Sequence, residues 1–245
     1  MKRKFPVLIL HGFTSSLKCI EKPGEKLLEM GFEVSMPILA GHGKTPEALI
    51  GVKSSDWYED AEKELLRLHS STGHRVGVVG LSMGGLAGLN LSIRHPDKIH
   101  FFAGAAPALI FKNPLTPLSR ILAKFVKFWP SPNSFVDSQL KKKYNENYSR
   151  FPTSSFVELY EWSLKTIENL EKVTVPVFLQ HSLRDQVISI AGSRLIMEKI
   201  NSPDRYFKEY KTSGHEMFLD LESDKIVQDL ADFIDNFEKS VEEQK

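Results

Sequence analysis

The chain has 245 residues, 41% of them hydrophobic, enough for the core of one enzyme-sized α/β unit. Its 32 basic and 31 acidic residues leave a formal net charge of +1, which excludes a global field that would draw in nucleic acid, so no nucleic-acid partner is expected. A single cysteine, Cys19, cannot close an internal disulfide, and no stretch approaches the roughly 20 apolar residues of a membrane-spanning helix. The expected setting is cytoplasmic.

The basic start Met1-Lys2-Arg3-Lys4 reads as a solvated tail, because the apolar run behind it stops at His11-Gly12, far short of a signal-peptide core. That run, Pro6 to Leu10, is wholly apolar, the pattern of a strand buried on both faces of a parallel sheet. It opens into His11-Gly12-Phe13-Thr14, a loop on the sheet edge where α/β folds hold ligands. A helix carrying Leu27, Leu28 and Met30 closes at Gly31, an alternating strand covers Phe32 to Pro37, and Gly41-His42-Gly43 forms a second glycine loop. Trp57, Ala61, Leu65 and Leu68 then recur at helical spacing, with Asp56 placed to cap the first turn.

Next, Val76-Gly77-Val78-Val79 runs straight into Gly80-Leu81-Ser82-Met83-Gly84, a Gly-x-Ser-x-Gly pentapeptide at a strand end. In a nucleophile elbow the strand turns sharply into a helix and the serine at the apex is held strained with its hydroxyl exposed. Gly80 and Gly84 fall where a side chain would collide with the neighbouring strand or the following helix. The helix begins near Met83 and must end at Pro96, and His100 to Pro107 is the next strand. Repeated alternation of strand and helix predicts an α/β fold with a doubly wound, mostly parallel sheet.

From 108 to 169 that alternation stops, broken by Pro114, Pro117, Pro130, Pro132 and Pro152, and an inserted lid (cap) subdomain is expected there, with 1–107 and 170–245 forming the core. Ile121, Leu122, Phe125, Phe128 and Trp129 fall on one helical face and Arg120, Lys124 and Lys127 on another. The stretch from Phe111 to Trp129 is expected to supply an apolar lid over a pocket; the same pattern suits peripheral contact with a membrane surface. The core resumes with a strand from Val173 to His181, the polar loop Ser182 to Asp185, a helix over about 190–200 and a strand at 205–210. Gly214-His215 precedes a last helix striped by Ile226, Leu230, Phe233, Phe237 and Val241.

A serine hydroxyl is a poor nucleophile at neutral pH, so Ser82 needs a histidine to take its proton and a carboxylate to orient that histidine. Asp185 and His215 follow in the order expected after a nucleophile elbow, each in a loop opening on the same sheet edge. Asp220 rivals Asp185; His181 and His42 rival His215, although His181 ends a strand and reads as a packed or hydrogen-bonded support. The backbone N–H groups of Met83 and Phe13 are the expected oxyanion donors. His11 is expected to brace its loop. No metal-ligand spacing and no dinucleotide fingerprint occur, so no metal and no cofactor are expected.

Leu10-His11-Gly12-Phe13-Thr14, Gly41-His42-Gly43, Asp56-Trp57, Gly80 to Gly85, Asp185 and Gly214-His215, in this order and spacing, resemble the α/β-hydrolase family over nearly the full length, and within it the bacterial carboxylesterase and monoacylglycerol lipase branch. The resemblance implies the α/β-hydrolase fold with a short lid and hydrolysis of small-molecule carboxylic esters through an acyl-enzyme on Ser82. It also implies polar groups holding the glycerol end of a monoacylglycerol, a lid glutamate and a polar strand-end residue among them; this sequence departs at both, with Asn145 at the lid position and Glu146 beside it, and Gly104-Ala105-Ala106 at the strand end. The expected substrates are short to medium acyl esters, monoacylglycerols among them. Fold and triad do not fix the leaving group, so thioesterase, peptidase, lactonase and carbon–carbon hydrolase chemistry stay open, as does a lipid-binding module without turnover. The oligomeric state is left open.

Overall fold

The computed structural model describes residues 4–243; Met1, Lys2 and Arg3 of the basic start and the last two residues of the polar end lie outside that range. Strand β1 (Pro6–Leu10) is buried at every position, as an uninterrupted apolar run dictates. Helix α1 (Lys18–Glu29) and strand β2 (Glu33–Ser35) follow, then α2 (Ser54–Thr72), β3 (Val76–Leu81), α3 (Met83–Arg94) and β4 (Ile99–Ala105). Between β4 and the next core strand come α4 (Ser119–Leu122), β5 (Phe128–Pro130), α5 (Ser138–Tyr144), β6 (Arg150–Pro152) and α6 (Thr153–Ile167). The chain ends with β7 (Val177–Ser182), α7 (Ile190–Lys199), β8 (Arg205–Tyr210) and α8 (Ser223–Glu243).

Six strands form one sheet in the order β2-β1-β3-β4-β7-β8, and all neighbouring pairs are parallel. Successive side chains of a strand face opposite sides, and the core divides accordingly. Leu8, Leu10, Val76 and Val78 pack with Trp57, Leu65, Leu89 and Ile196 under α2, α3 and α7. Val7, Ile9, Val79 and Leu81 pack with Ile20, Leu27, Ile226 and Leu230 under α1 and α8. Helices on both faces make the sheet doubly wound and bring the carboxyl ends of β1, β3, β7 and β8 to one edge.

Two local expectations change. Asp56 is not the cap residue of α2: the helix starts two residues earlier, and the Asp56 carboxylate accepts from the Lys53 backbone N–H at 2.8 Å from within the first turn. The helical face expected over Ile121 to Trp129 is not continuous. Helix α4 stops at Leu122, and Phe128-Trp129-Pro130 pairs antiparallel with Arg150-Phe151-Pro152. Aromatic residues gain more from a cross-strand partner than from a four-residue helix that cannot sustain itself.

Candidate active site

Ser82 sits between β3 and α3 at φ 54° and ψ −113°, a backbone conformation that costs a non-glycine residue about 1–3 kcal/mol. Three backbone hydrogen bonds fasten it: Ser82 N–H donates to Ala105 O at 2.9 Å, and Ser82 O accepts from Ala108 at 3.0 Å and Leu86 at 3.1 Å. The elbow closes only because its flanking residues lack side chains. A Cβ on Gly80 would lie 2.3 Å from the Gly84 carbonyl carbon, and one on Gly84 would lie 2.1 Å from Leu10 O.

Asp185 and His215, from the loops after β7 and β8, meet directly: His215 Nδ1 and Asp185 Oδ2 are 2.7 Å apart. The other carboxylate oxygen accepts backbone N–H groups of Val187 at 2.7 Å and Ile188 at 2.8 Å, which fixes the carboxyl plane. Burial works to raise the Asp185 pKa, but the His215 charge and hydrogen bonds from His181 and His215 outweigh it and hold the carboxyl well below the usual carboxylate range. Burial likewise works to lower the His215 pKa, and the adjoining Asp185 carboxylate reverses this, so the imidazole titrates above its ordinary value. An Nδ1–H donated to Asp185 leaves Nε2 as the proton-accepting nitrogen.

The rivals from the sequence have structural work. His181 Nδ1 pairs with Ser193 Oγ at 2.8 Å and its Nε2 lies 3.4 Å from Asp185 Oδ2, backing the carboxylate. Asp220 Oδ2 accepts from Gly214 N–H and from Val136 N–H, each at 2.7 Å, and so holds the His215 loop. His42 Nε2 accepts the Thr14 N–H at 3.1 Å while its Nδ1 donates to Ala40 O at 2.9 Å. His11 Nε2 accepts from Leu39 N–H at 3.0 Å. Burial lowers the His11 pKa to about 4 and, with a smaller contribution from His11, lowers that of His42 to about 3, so both brace the loop as neutral acceptors.

That bracing shapes the Phe13 loop. Thr14 is held at φ 64°, and its carbonyl accepts from Tyr148 N–H at 2.9 Å. A Cβ on Gly12 would lie 3.5 Å from Ser82 Cβ, so the loop runs against the elbow. Met83 opens α3 directly after Ser82 and is fully buried. Ser82, His215, Gly12 and Phe13 line one small cavity of about 80 Å³. Phe111, Phe151, Phe156 and Val187 line it too, and also line a second, mostly apolar cavity of about 310 Å³ walled further by Leu115, Leu122 and Trp129. The two spaces share this wall and together form the candidate site, with the Ser82 cavity at one end and the larger space as an apolar arm.

Of the lid residues expected from sequence, Phe111 and Leu122 line the arm. Ile121 and Phe125 do not: they are 57% and 81% exposed, because α4 ends before it can carry Phe125 inward. Asn145 and Glu146 are also outside the lining. Asn145 closes α5, its N–H donating to Lys141 O, and Glu146 accepts from Ser16 Oγ at 2.7 Å in an exposed position. From the expected lid segment, Asn147 lines the Ser82 cavity, and its Nδ2 donates to Glu216 Oε1 at 2.6 Å. Glu216 is buried at this end, and burial pushes its carboxyl pKa up. Its place directly after His215 was the available sequence signal. Among the described residues, no group of three or more His, Cys, Asp or Glu side chains converges as metal ligands.

Similarity to known proteins agrees with this geometry. A carboxylesterase of Bacillus subtilis is 26% identical over 235 residues, covering 95% of this chain and 93% of its own. A thermostable monoacylglycerol lipase of Bacillus sp. strain H-257 is 26% identical over 233 residues, covering 93% and 89%. A solved lipolytic enzyme of metagenomic origin, from the LipS and LipT work, superposes with a TM-score of 0.89 at 22% identity over 96% of this chain and 94% of its own, which establishes a shared fold. The pattern of the serine aminopeptidase S33 family (Hydrolase_4) matches residues 2–222, and the chain belongs to that family of α/β hydrolases.

Proposed function

We propose that the protein is a serine carboxylic ester hydrolase whose nucleophile is Ser82, whose general base is His215 and whose orienting carboxylate is Asp185. The observation that carries this reading is the elbow serine at positive φ sharing one cavity with a histidine locked onto a buried carboxylate. Ser82 Oγ attacks the ester carbonyl carbon while His215 Nε2 takes its proton. Asp185, with its depressed pKa, stays ionised and stabilises the imidazolium so formed. Charge develops on the carbonyl oxygen, and the backbone N–H groups of Phe13 and Met83 receive it. Collapse releases the alcohol with the proton from His215 and leaves an acyl-enzyme, which water, activated by the same imidazole, hydrolyses.

The acyl group takes the apolar arm behind Phe111 and Phe156, and residues 108–169 act as the lid. Ester rather than peptide chemistry is favoured by the carboxylesterase and the monoacylglycerol lipase among the relatives, which align with nearly the whole chain, although the family takes its name from an aminopeptidase. A cytoplasmic location is compatible with the single cysteine, which is buried and free. We extend the reading to peripheral lipid contact through the exposed part of the lid.

A fluorophosphonate should label the wild-type protein and leave Ser82→Ala unmodified; persistent labelling of the mutant would remove Ser82 as nucleophile. Initial rates on p-nitrophenyl esters of increasing chain length, beside monoacylglycerols and aminoacyl p-nitroanilides, distinguish esterase, lipase and peptidase. Turnover of the anilides alone would overturn the ester assignment.

A further inference from the structure

Thr116 Oγ1, Ser119 Oγ and Thr153 Oγ1 are buried without a hydrogen-bond partner among the described residues, and all three residues line the 310 Å³ arm. Buried hydroxyls are normally satisfied, and their neighbours obey that rule. Ser131, in the same wall, donates to Tyr148 O at 2.6 Å. Along α6, Ser155, Ser163 and Thr166 each donate to a backbone carbonyl. The exceptions are therefore concentrated in one cavity.

Their positions sharpen the point. Ser119 and Thr153 are the first residues of α4 and α6, one position inside the N-caps Leu118 and Pro152, so neither hydroxyl is spent on capping its helix. Thr116 lies three residues before Ser119, one helical turn away and on the same side. A hydroxyl left unpaired in an apolar setting costs free energy, and an alkyl tail filling this arm would leave all three unpaired. A hydroxyl on the tail can both donate and accept, and the three side-chain oxygens, closed off from solvent as they stand, meet it after rotation about χ1. Phe111, Trp129 and Phe156 supply the apolar wall for the rest of the acyl group.

We propose that the arm receives an acyl group carrying a hydroxyl remote from its ester carbonyl, read by Thr116, Ser119 and Thr153. This rests on the ester-hydrolase reading and adds the substrate class.

The test is kcat/KM for two matched series of p-nitrophenyl esters, unsubstituted and ω-hydroxylated fatty acyl, over increasing chain length. A wholly apolar arm would favour the alkyl ester at least tenfold at every length, because the hydroxyl must shed water without replacement. The expected result is a hydroxylated ester that equals or exceeds its alkyl counterpart at one length or more. In the variant Thr116→Val/Ser119→Ala/Thr153→Val the hydroxyl-to-alkyl ratio should then fall about tenfold or more. Alkyl preference of tenfold at every length in the wild type overturns the inference by itself, whether or not the variant folds. An unchanged ratio in a folded variant overturns it too. Hydrolysis of neither series sinks the ester reading and this inference with it, whereas hydrolysis of the alkyl series alone sinks only the inference.

Discussion

His215 owes most of its basicity to one neighbour. Burial by itself would lower the imidazole pKa, and the Asp185 carboxylate both reverses that and bonds Nδ1 at 2.7 Å. In its proposed role as general base His215 must be neutral to accept the Ser82 proton, so the acid limb of kcat/KM against pH should lie above 6.5, the ordinary histidine value from which His215 is raised. Asp185→Asn removes the two larger raising causes and leaves burial and the smaller Glu216 contribution in place, so its acid limb should move to lower pH than in the wild type. The same change permits the wrong tautomer and should lower kcat by about 10⁴-fold. A pH–rate profile on a p-nitrophenyl ester reads both effects; an acid limb that moves upward in Asp185→Asn would refute this account. The opposite sign holds for His11 and His42, whose pKa values are lowered to about 4 and about 3. Below 6.5 the unfolded chain protonates both and the folded chain does not, so these two residues subtract stability as pH falls toward 4.

At the scale of elements, the elbow was readable because its constraints are local. An apolar strand followed by Gly-x-Ser-x-Gly contains the whole steric argument, and Gly84 shows why: an added Cβ would meet Leu10 O of β1 at 2.1 Å, with backbone on both sides and nothing flexible to yield. Gly84→Ala should therefore cost about 3 kcal/mol or more and, in a denaturant melt, lower the midpoint without changing the slope. A variant as stable as the wild type would contradict the packing of α3 on β1. The loops carrying Asp185 and His215 were equally legible, since each follows a strand of a parallel sheet and must open on the same edge as Ser82. The lid was not. Phe128 to Pro130 forms a strand only because Arg150 to Pro152 lies alongside, a partner some twenty residues on that no helical periodicity can reveal. The same non-local tie explains the miss at Asn145 and Glu146. Tyr148 N–H bonds Thr14 O, and its hydroxyl lies against the loop at Gly41 and Lys44, and this turns Asn147 toward Glu216 and leaves Glu146 at the surface.

Across the whole molecule, the two halves of segment 108–169, the proposed lid, are held unequally. The second half is stitched to the core: Lys53 and Ser54 bond Glu158, Ser155 Oγ bonds Leu49 O, and Arg150 pairs with Glu47. In the first half, Leu118, Ile121 and Phe125 are exposed, Phe125 at 81%. The sequence from Ala108 to Val136 contains no Asp or Glu but includes Lys112, Arg120, Lys124 and Lys127, in a chain whose net charge is only +1. Near-neutrality of the whole therefore conceals a basic, apolar segment beside the apolar arm, which Leu115 and Leu122 line; Arg120 pairs with Glu161 and Lys112 bonds Asp185 O, which leaves Lys124 and Lys127 as its exposed cations next to Phe125. Such a segment should partition to a lipid surface through two separable contributions, insertion of Phe125 and attraction of the lysines to anionic headgroups. Co-sedimentation with phosphatidylglycerol vesicles should be measurable at low ionic strength and weaken as salt screens the lysines. Phe125→Ser should cut binding about tenfold to a hundredfold at any salt, since it removes roughly 1.5–3 kcal/mol of burial. Lys124→Glu should cut it strongly at low salt and little at high salt. Neither residue touches the cavity that holds Ser82, so rates on a water-soluble p-nitrophenyl ester should remain those of the wild type in both variants. Equal vesicle binding by wild type and Phe125→Ser would show that this half of the lid does not meet lipid.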